Sequence, residues 1–240
     1  MNTTDREQGL NRLTGIGIPE SNPFYLHYKP FHEDLLAALK EYSTGKLLDI
    51  GCGNKPYYQI VSPLIDEYIG CDIIQSSDQR VDILCPANYI PLPDETFDTV
   101  ISTQTIEHVE DHQGLLNEAF RLLKPQGHLI LSGPMYWPLH EEPYDFFRFT
   151  KYGLSYLLSK SGFKVIDIKS NGGKWTVAGQ AFLHAYVTDV RRFKSVRGRI
   201  FRRVFKMFGG VGAVNRLFLR LDEKYPDPTN TMNYVVIARK

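Results

Sequence analysis

Cysteine is nearly absent from this chain: Cys52, Cys71 and Cys85 are the only three in 240 residues. They are too few and too scattered for a disulfide framework, and no C-x-x-C pair marks a structural zinc site. Each falls near an expected strand end and reads as a small buried hydrophobe of a reducing compartment. Long hydrophobic runs are missing too. No stretch approaches the ~18 apolar residues of a spanning helix. Met1-Asn2-Thr3-Thr4-Asp5-Arg6-Glu7 has no apolar core of the kind a secretory signal carries. A soluble, cytoplasmic protein is the expectation. Internal repeats and low-complexity tracts are also lacking. Hydrophobic residues at 42% and charged residues at 23% exclude wholesale disorder. The length suits one domain, with room for an insertion.

Acidic residues are missing from one long stretch. Ten of the 28 Lys and Arg lie between Val190 and Leu221, and all 27 Asp and Glu lie elsewhere. The net charge of +1 therefore conceals a strong segregation.

What is present is an alternation of short apolar runs with helical spacing. Residues 1–29 are polar and punctuated by Gly and Pro, and are expected as a loosely packed arm ahead of a domain over 30–240. From Pro30 to about Tyr42, Phe31, Leu35, Leu36 and Leu39 recur at helical intervals. Strands are expected at Lys46–Ile50, Tyr68–Asp72, Val81–Leu84, Phe97–Ser102, His128–Ser132, Phe163–Ile168 and Asn233–Ala238. Helices fall at about Gln113–Leu123 and, capped by Thr150, through Lys160. This pattern implies an α/β fold with a mostly parallel sheet covered on both faces. About sixty residues separate the last two strands, and 174–230 is expected to form a basic helical insertion there.

The first strand opens into Gly51-Cys52-Gly53, a turn whose backbone can approach a ligand closely. By itself this is weak evidence. Pro56 stands where a dinucleotide fingerprint has its third glycine. Asp49 precedes the turn, where a carboxylate repels a pyrophosphate and can hold a cationic amino group. A second carboxylate, Asp72, ends the next strand 23 residues on, a spacing that suits a ribose-hydroxyl acceptor.

Five pieces now stand in order: Leu48-Asp49-Ile50-Gly51-Cys52-Gly53, the strand-end Asp72, Ile90-Pro91-Leu92-Pro93-Asp94-Glu95-Thr96-Phe97-Asp98, Glu107-His108-Val109, and Arg121-Leu122-Leu123-Lys124-Pro125-Gln126-Gly127-His128-Leu129. Over roughly half the chain this series resembles the class I S-adenosylmethionine-dependent methyltransferases, in particular the type 11 group. The resemblance implies a Rossmann-like, doubly wound seven-stranded sheet with its last strand antiparallel, and S-adenosylmethionine as cofactor. It implies that Asp49, Gly51, Cys52 and Gly53 surround the methionine and ribose parts. Asp72, with Ile73 beside it, would take the ribose hydroxyls, and Ser102, Thr103 and Gln104 would face the methionine end. The acidic residue that often receives adenine is replaced by Pro86, which leaves backbone, Ala87 and Asn88 for that subsite.

On the acceptor side, the sulfonium leaving group needs no protonation, so the enzyme supplies alignment and, for a hydroxyl acceptor, a base. His108 and His140 are the candidate bases, against a packing role for the first and a loop hydrogen bond for the second. Residues 138–150 are rich in aromatic and ionisable side chains, as an acceptor lid would be. Tyr136, Tyr144 and Arg148 are candidate acceptor contacts, although Arg148 can equally pair with Asp145 or Glu142. His140, Glu141, Glu142 and Asp145 are compatible with a divalent ion, but adjacent loop carboxylates are usually solvated, and no metal is expected. Base methylation of nucleic acid is disfavoured, because Ser102-Thr103-Gln104-Thr105 stands where an [Asp/Asn]-Pro-Pro-[Tyr/Phe] element would grip a flipped base.

Between Val190 and Phe208, apolar residues recur in steps of three and four with Arg and Lys between them. Three readings are open: a helix packed on the domain, a helix lying on an anionic membrane, or a phosphate-binding surface. From its place before the last strand, the insertion can roof an acceptor pocket. The expected function is methyl transfer to a small, glycan-linked or lipid-linked acceptor, at oxygen rather than nitrogen. The alternative is a non-catalytic cofactor-binding adaptor at a membrane or partner surface.

Overall fold

The computed structural model describes residues 16–188 and 196–240. Of the expected N-terminal arm, residues 1–15 lie outside the described residues, as do 189–195 of the basic stretch.

In chain order the elements are α1 (Tyr25–Tyr42), β1 (Lys46–Ile50), the single turn α2 (Tyr58–Val61), β2 (Glu67–Asp72), β3 (Ile83–Leu84), β4 (Phe97–Thr103), α3 (His112–Leu122), β5 (Leu123–Pro134), α4 (Lys151–Lys160), β6 (Lys164–Asn171), α5 (Lys174–Thr188), α6 (Val196–Met207), α7 (Gly210–Lys224) and β7 (Asn233–Arg239). Seven strands form one sheet in the order β3-β2-β1-β4-β5-β7-β6. The pairs β1/β2, β1/β4, β2/β3 and β4/β5 are parallel, and β7 runs antiparallel. Its end exchanges hydrogen bonds with the start of β5, Gln126 N to Lys240 O and Lys240 N to Gly127 O, both 3.1 Å. The order reverses between β1 and β4, the switch point where doubly wound sheets bind ligands.

The apolar runs are buried as an interior sheet demands: Leu47, Leu48, Ile50, Val100, Ile101, Leu129, Ile130 and Leu131 are all fully buried. Leu115, Leu116, Ala119 and Leu122 make the inner stripe of α3, whose N-terminus is capped by Asp111 accepting from Gly114 N at 2.9 Å. Thr150 caps α4 through Gly153 N at 3.0 Å.

Three boundaries differ from the sequence reading. β5 begins at Leu123, because Leu123 pairs with Phe97 across an irregularity before the ladder resumes at Thr99 and His128. β3 is shorter than expected, Ile83–Leu84 rather than Val81–Leu84. α1 starts at Tyr25 with Pro30 inside it, so the boundary expected at 29/30 falls within a helix.

The chain divides into two compact units. One holds 34–169 and 234–240; the other holds 17–33 and 170–233. In the second unit, the insertion expected at 174–230 forms α5, α6 and α7, together with residues just before α1. Asn215 Nδ2 donates to Glu20 O (2.6 Å) and Asn22 O (2.9 Å), and Gln180 Nε2 donates to Pro23 O (2.9 Å). Phe205 of α6 packs against Tyr186 of α5 with ring centroids 4.4 Å apart. On the same helix Val196, Ile200, Phe201, Val204 and Met207 are exposed. Among the described residues no helix is long and apolar enough to cross a membrane.

Candidate functional site

β1 ends where the sheet switches direction, and the chain must turn sharply there. Gly51 takes φ +79°, a left-handed conformation that costs side-chain-bearing residues strain. A Cβ at Gly51 would also lie 2.2 Å from Thr105 Oγ1, so the turn is pressed against the loop after β4. Gly51 N and Cys52 N both donate to Cys71 O, at 2.9 and 3.1 Å. Gly53 N donates to Asp72 Oδ2 at 3.1 Å, while Asp72 Oδ1 accepts from Ile73 N at 2.7 Å. Backbone donors thus fix the Asp72 carboxylate at the end of β2.

A cavity of about 460 Å³ lies across the carboxyl ends of β1 to β4, within the size range of small-molecule sites. Gly51, Cys52, Gly53, Asp72, Ile73, Ala87, Asn88, Thr103 and Gln104 line it, and so do His108 and Tyr144. Gln104 is held at φ +51°, with its backbone N–H and side-chain amide both donating to Ser132 Oγ, at 3.0 and 3.1 Å.

Other sequence candidates stand back from the wall. Ser102 is fully buried and donates to Ile50 O at 3.0 Å. Asp49 lies at the base of the turn, 1% exposed, with Oδ2 accepting from Tyr68 Oη at 2.5 Å. Its Oδ1 has no hydrogen-bond partner among the described residues. Burial pushes the Asp49 carboxyl up to about 7, against the pull of the Tyr68 hydrogen bond and with a further push from Asp72. A buried carboxylate with an orphaned oxygen beneath a glycine cradle fits a cationic ligand, and Asp72 on the cavity wall is a carboxylate able to accept from a hydroxyl-bearing one. The residues present fit S-adenosylmethionine.

Tyr136 and Arg148 are not among the lining residues. Arg148 makes two bonds to Asp145 (2.6 and 2.7 Å) and others to the carbonyls of Trp137, Pro138 and Phe147. The geometry therefore gives Arg148 a role in folding the 138–148 loop. Burial pushes Asp145 up, but the Arg148 and His140 hydrogen bonds outweigh it and hold the carboxyl at about 2.

Around His108 the loops bring the adjacent Glu107 and His108 together with His140 from the loop after β5. His108 Nδ1 lies 2.8 Å from Tyr144 O, and its Nε2 lies 3.9 Å from Glu107 Oε1. The rings of His108 and His140 meet edge to face at 4.7 Å. His140 Nδ1 is 3.2 Å from Asp145 Oδ2, and burial, reinforced by His108, lowers the pKa of its ring. Glu107 is wholly buried, neither carboxylate oxygen has a hydrogen-bond partner among the described residues, and burial pushes its pKa up to about 8. Sequence reasoning quoted Glu107 as part of a motif but did not count it as a site residue. It also missed Asn54, Thr105 and Asp111 on the cavity wall. Asp111 was findable, since an Asp three residues before Gly114 reads as a helix cap, and Asn88 Nδ2 donates to it at 3.0 Å.

The methyltransferase domain family matches residues 48–131. A probable S-adenosylmethionine-dependent methyltransferase of Mycolicibacterium smegmatis is 28% identical over 63% of each chain. A 2-methyl-6-phytyl-1,4-hydroquinone methyltransferase of Oryza sativa subsp. japonica is 32% identical over 37% of this chain and 28% of its own. The chain spans less than two thirds of the length of either curated relative. Among solved structures, the Burkholderia thailandensis 1,6-didemethyltoxoflavin-N1-methyltransferase with bound 1,6-didemethyltoxoflavin and S-adenosylhomocysteine shares the fold. Its TM-score is 0.55 at 14% identity, over 92% of this chain and 80% of that one. With the sheet order, the glycine turn and the matched segment in agreement, residues 48–131 carry a methyltransferase domain, and S-adenosylmethionine is its cofactor.

Proposed function

We propose that this protein transfers the methyl group of S-adenosylmethionine to a small-molecule acceptor, at oxygen rather than nitrogen. The observation that carries this reading is the His108 wall of the cavity, with Glu107 and His140 grouped behind it. Displacement at the sulfonium carbon needs no acid, whereas a hydroxyl nucleophile must lose its proton. His108 on the wall of the cofactor cavity offers a proton acceptor for that step. Bound S-adenosylmethionine would contribute the electrophilic methyl. The Gly51–Gly53 turn and Asp72 would bind and orient it, Thr103 and Gln104 would stand near its methionine end, and Tyr144 and Phe146 would exclude water. The hydroquinone methyltransferase and the toxoflavin methyltransferase are both named for small-molecule acceptors, which supports an acceptor of that class.

A finer reading is a lipid-linked or glycan-linked acceptor met at an anionic membrane. It draws support from α6, where Arg197, Arg199, Arg202, Arg203 and Lys206 share a helix with exposed Ile200, Phe201 and Val204. Flotation with anionic liposomes at low and high salt checks it, and absence of binding at low salt sinks it.

The test of the main reading is incubation with labelled S-adenosylmethionine and separated small-molecule, lipid, glycan and RNA fractions. Label is expected in a small-molecule or lipid fraction, and His108→Ala is expected to spare cofactor binding while reducing turnover. Intact binding of S-adenosylhomocysteine with no labelled fraction would instead support the adaptor.

A further inference from the structure

We infer that Glu107, His108 and His140 form a binding site for one divalent transition-metal ion, placed to take an acceptor oxygen. This inference rests on the hydroxyl-acceptor reading above and specifies how the proton would be lost. Among the described residues this is the one group of three or more potential ligands in which a single donor atom from each residue lies within 4.8 Å of the others.

Three features make the cluster a built site rather than a chance meeting of polar residues. The first is Glu107, a fully buried carboxylate whose two oxygens lack hydrogen-bond partners. To be ionised in that position the group needs compensation, and a cation is the strongest form of it. The second is the surroundings of the two imidazoles. His108 Nδ1 is 2.8 Å from the Tyr144 carbonyl, while His140 Nδ1 lies 3.2 Å from Asp145 Oδ2 at an ion-pair distance, without a hydrogen-bond partner among the described residues. Metal-binding histidines characteristically donate their second N–H to a carbonyl or carboxylate, which fixes the tautomer and raises ligand basicity. Asp145 is itself clamped by Arg148 and by the His140 backbone N–H, so its carboxylate is held in place. The third is position. His108 belongs to the cavity wall, so the cluster borders the place where the acceptor must approach the methyl group.

Two imidazoles and one carboxylate suit Mn²⁺, Fe²⁺ or Zn²⁺ better than Mg²⁺ or Ca²⁺, which prefer all-oxygen sites. Three protein ligands leave positions open for an acceptor oxygen. A hydroxyl bound to such an ion loses its proton far more readily than in water. The O–H bond breaks, its proton passes to solvent or a nearby base, and the retained electron pair forms the new O–CH₃ bond as the C–S bond breaks. The acceptor class that follows is a phenol, enol or vicinal diol.

The test uses the intact protein, stripped with chelator and titrated with Mn²⁺ while the free-ion electron paramagnetic resonance signal is followed. One bound Mn²⁺ per chain is expected, weakened by 100-fold or more in Glu107→Gln and in His140→Ala. Affinity for S-adenosylhomocysteine should stay within threefold of wild type in both, which shows that the variants are folded. His140→Ala serves if Glu107→Gln does not fold. A wild-type titration indistinguishable from the variants overturns the metal site. If methyl transfer then persists in chelator, the histidines act as bases and the proposed function stands without the metal. Tight Mn²⁺ binding with no oxygen methylation of any fraction keeps the site and overturns the proposed function.

Discussion

Gly51→Ala is the sharpest test of how the cofactor turn is built. Two costs are expected from one methyl group. Holding alanine at φ +79° costs about 1–2 kcal/mol in left-handed strain. The new Cβ would meet Thr105 Oγ1 at 2.2 Å, Cγ2 at 2.5 Å and Cβ at 2.9 Å, an overpacking that costs about 1–3 kcal/mol more. If the turn keeps its shape, the sum of about 2–5 kcal/mol appears as lost stability, and the melting temperature falls by about 5–15 °C for a chain of this size. If the turn yields, Gly53 N leaves Asp72 and the cavity loses its form, so affinity for S-adenosylhomocysteine falls by tenfold or more. Calorimetric melting and isothermal titration of the same samples separate the two responses. Thr105→Gly in the Gly51→Ala background removes every atom of the clash and leaves the backbone strain. A coupling of about 1–3 kcal/mol between the two positions is therefore expected in the double-mutant cycle. Gly51→Ala with wild-type melting and wild-type affinity would refute the reasoning, and zero coupling to Thr105 would refute its steric half.

Other expectations follow from buried charges. Asp49 titrates near 7 in the folded protein, above its ordinary 3.8. The folded state therefore binds the proton more tightly than the unfolded one. Its stabilising contribution is complete below about pH 4 and is lost as pH rises through 7. Cofactor-free Asp49→Asn should accordingly show a flatter fall in melting temperature between pH 4.5 and 7.5 than wild type; parallel curves would contradict this. Arg148→Met leaves Asp145, whose side chain is 1% exposed, without its guanidinium. About 3 kcal/mol of stability should be lost in urea unfolding, and Arg148→Lys should restore little, since a lysine cannot reproduce the fork and the carbonyl contacts. In the second unit, Asp222 accepts from Gly173 N at 2.9 Å, Trp175 N at 2.9 Å and Thr176 N at 2.8 Å, closing the N-terminus of α5 from 46 residues away. Asp222→Ala should cost about 2 kcal/mol, seen as faster hydrogen exchange at residues 173–176.

Features set by neighbours along the chain were legible in the sequence. The strand–glycine–Asp series, the helix cap Thr150, and the alternation that makes a parallel sheet all act within a few residues. Features set by distant neighbours were not. Pro30 reads as the first turn of a helix, because it lacks the N–H that an interior position needs. Yet Leu26, His27 and Phe31 are all buried in the fold, and that burial extends α1 back to Tyr25 at the cost of one backbone hydrogen bond. Strand periodicity, used more strictly, would have separated Ser102 from Thr103. Neighbouring residues on a strand face opposite ways, so a Thr103 on the cavity wall turns Ser102 away, where its hydroxyl meets Ile50 O.

Arg148 and Glu107 show the same limit in opposite directions. The sequence offers Arg148 as a hand for an anionic acceptor, but Asp145 three residues earlier lies within reach and the loop folds around their pair. Glu107 reads from sequence as the polar neighbour of a candidate base, and nothing local says that it will be sealed from water. Its burial follows from a tight turn after β4, Ile106–His108, which directs Ile106 and Glu107 into the interior and leaves His108 on the cavity wall. The loop after β5 then folds back, with Phe146 N and Phe147 N donating to Glu107 O at 3.0 and 3.3 Å. That return brings His140 against His108. A carboxyl group is thereby enclosed beside the cavity without a hydrogen-bond partner among the described residues, and buried titratable groups of that kind cluster at functional sites.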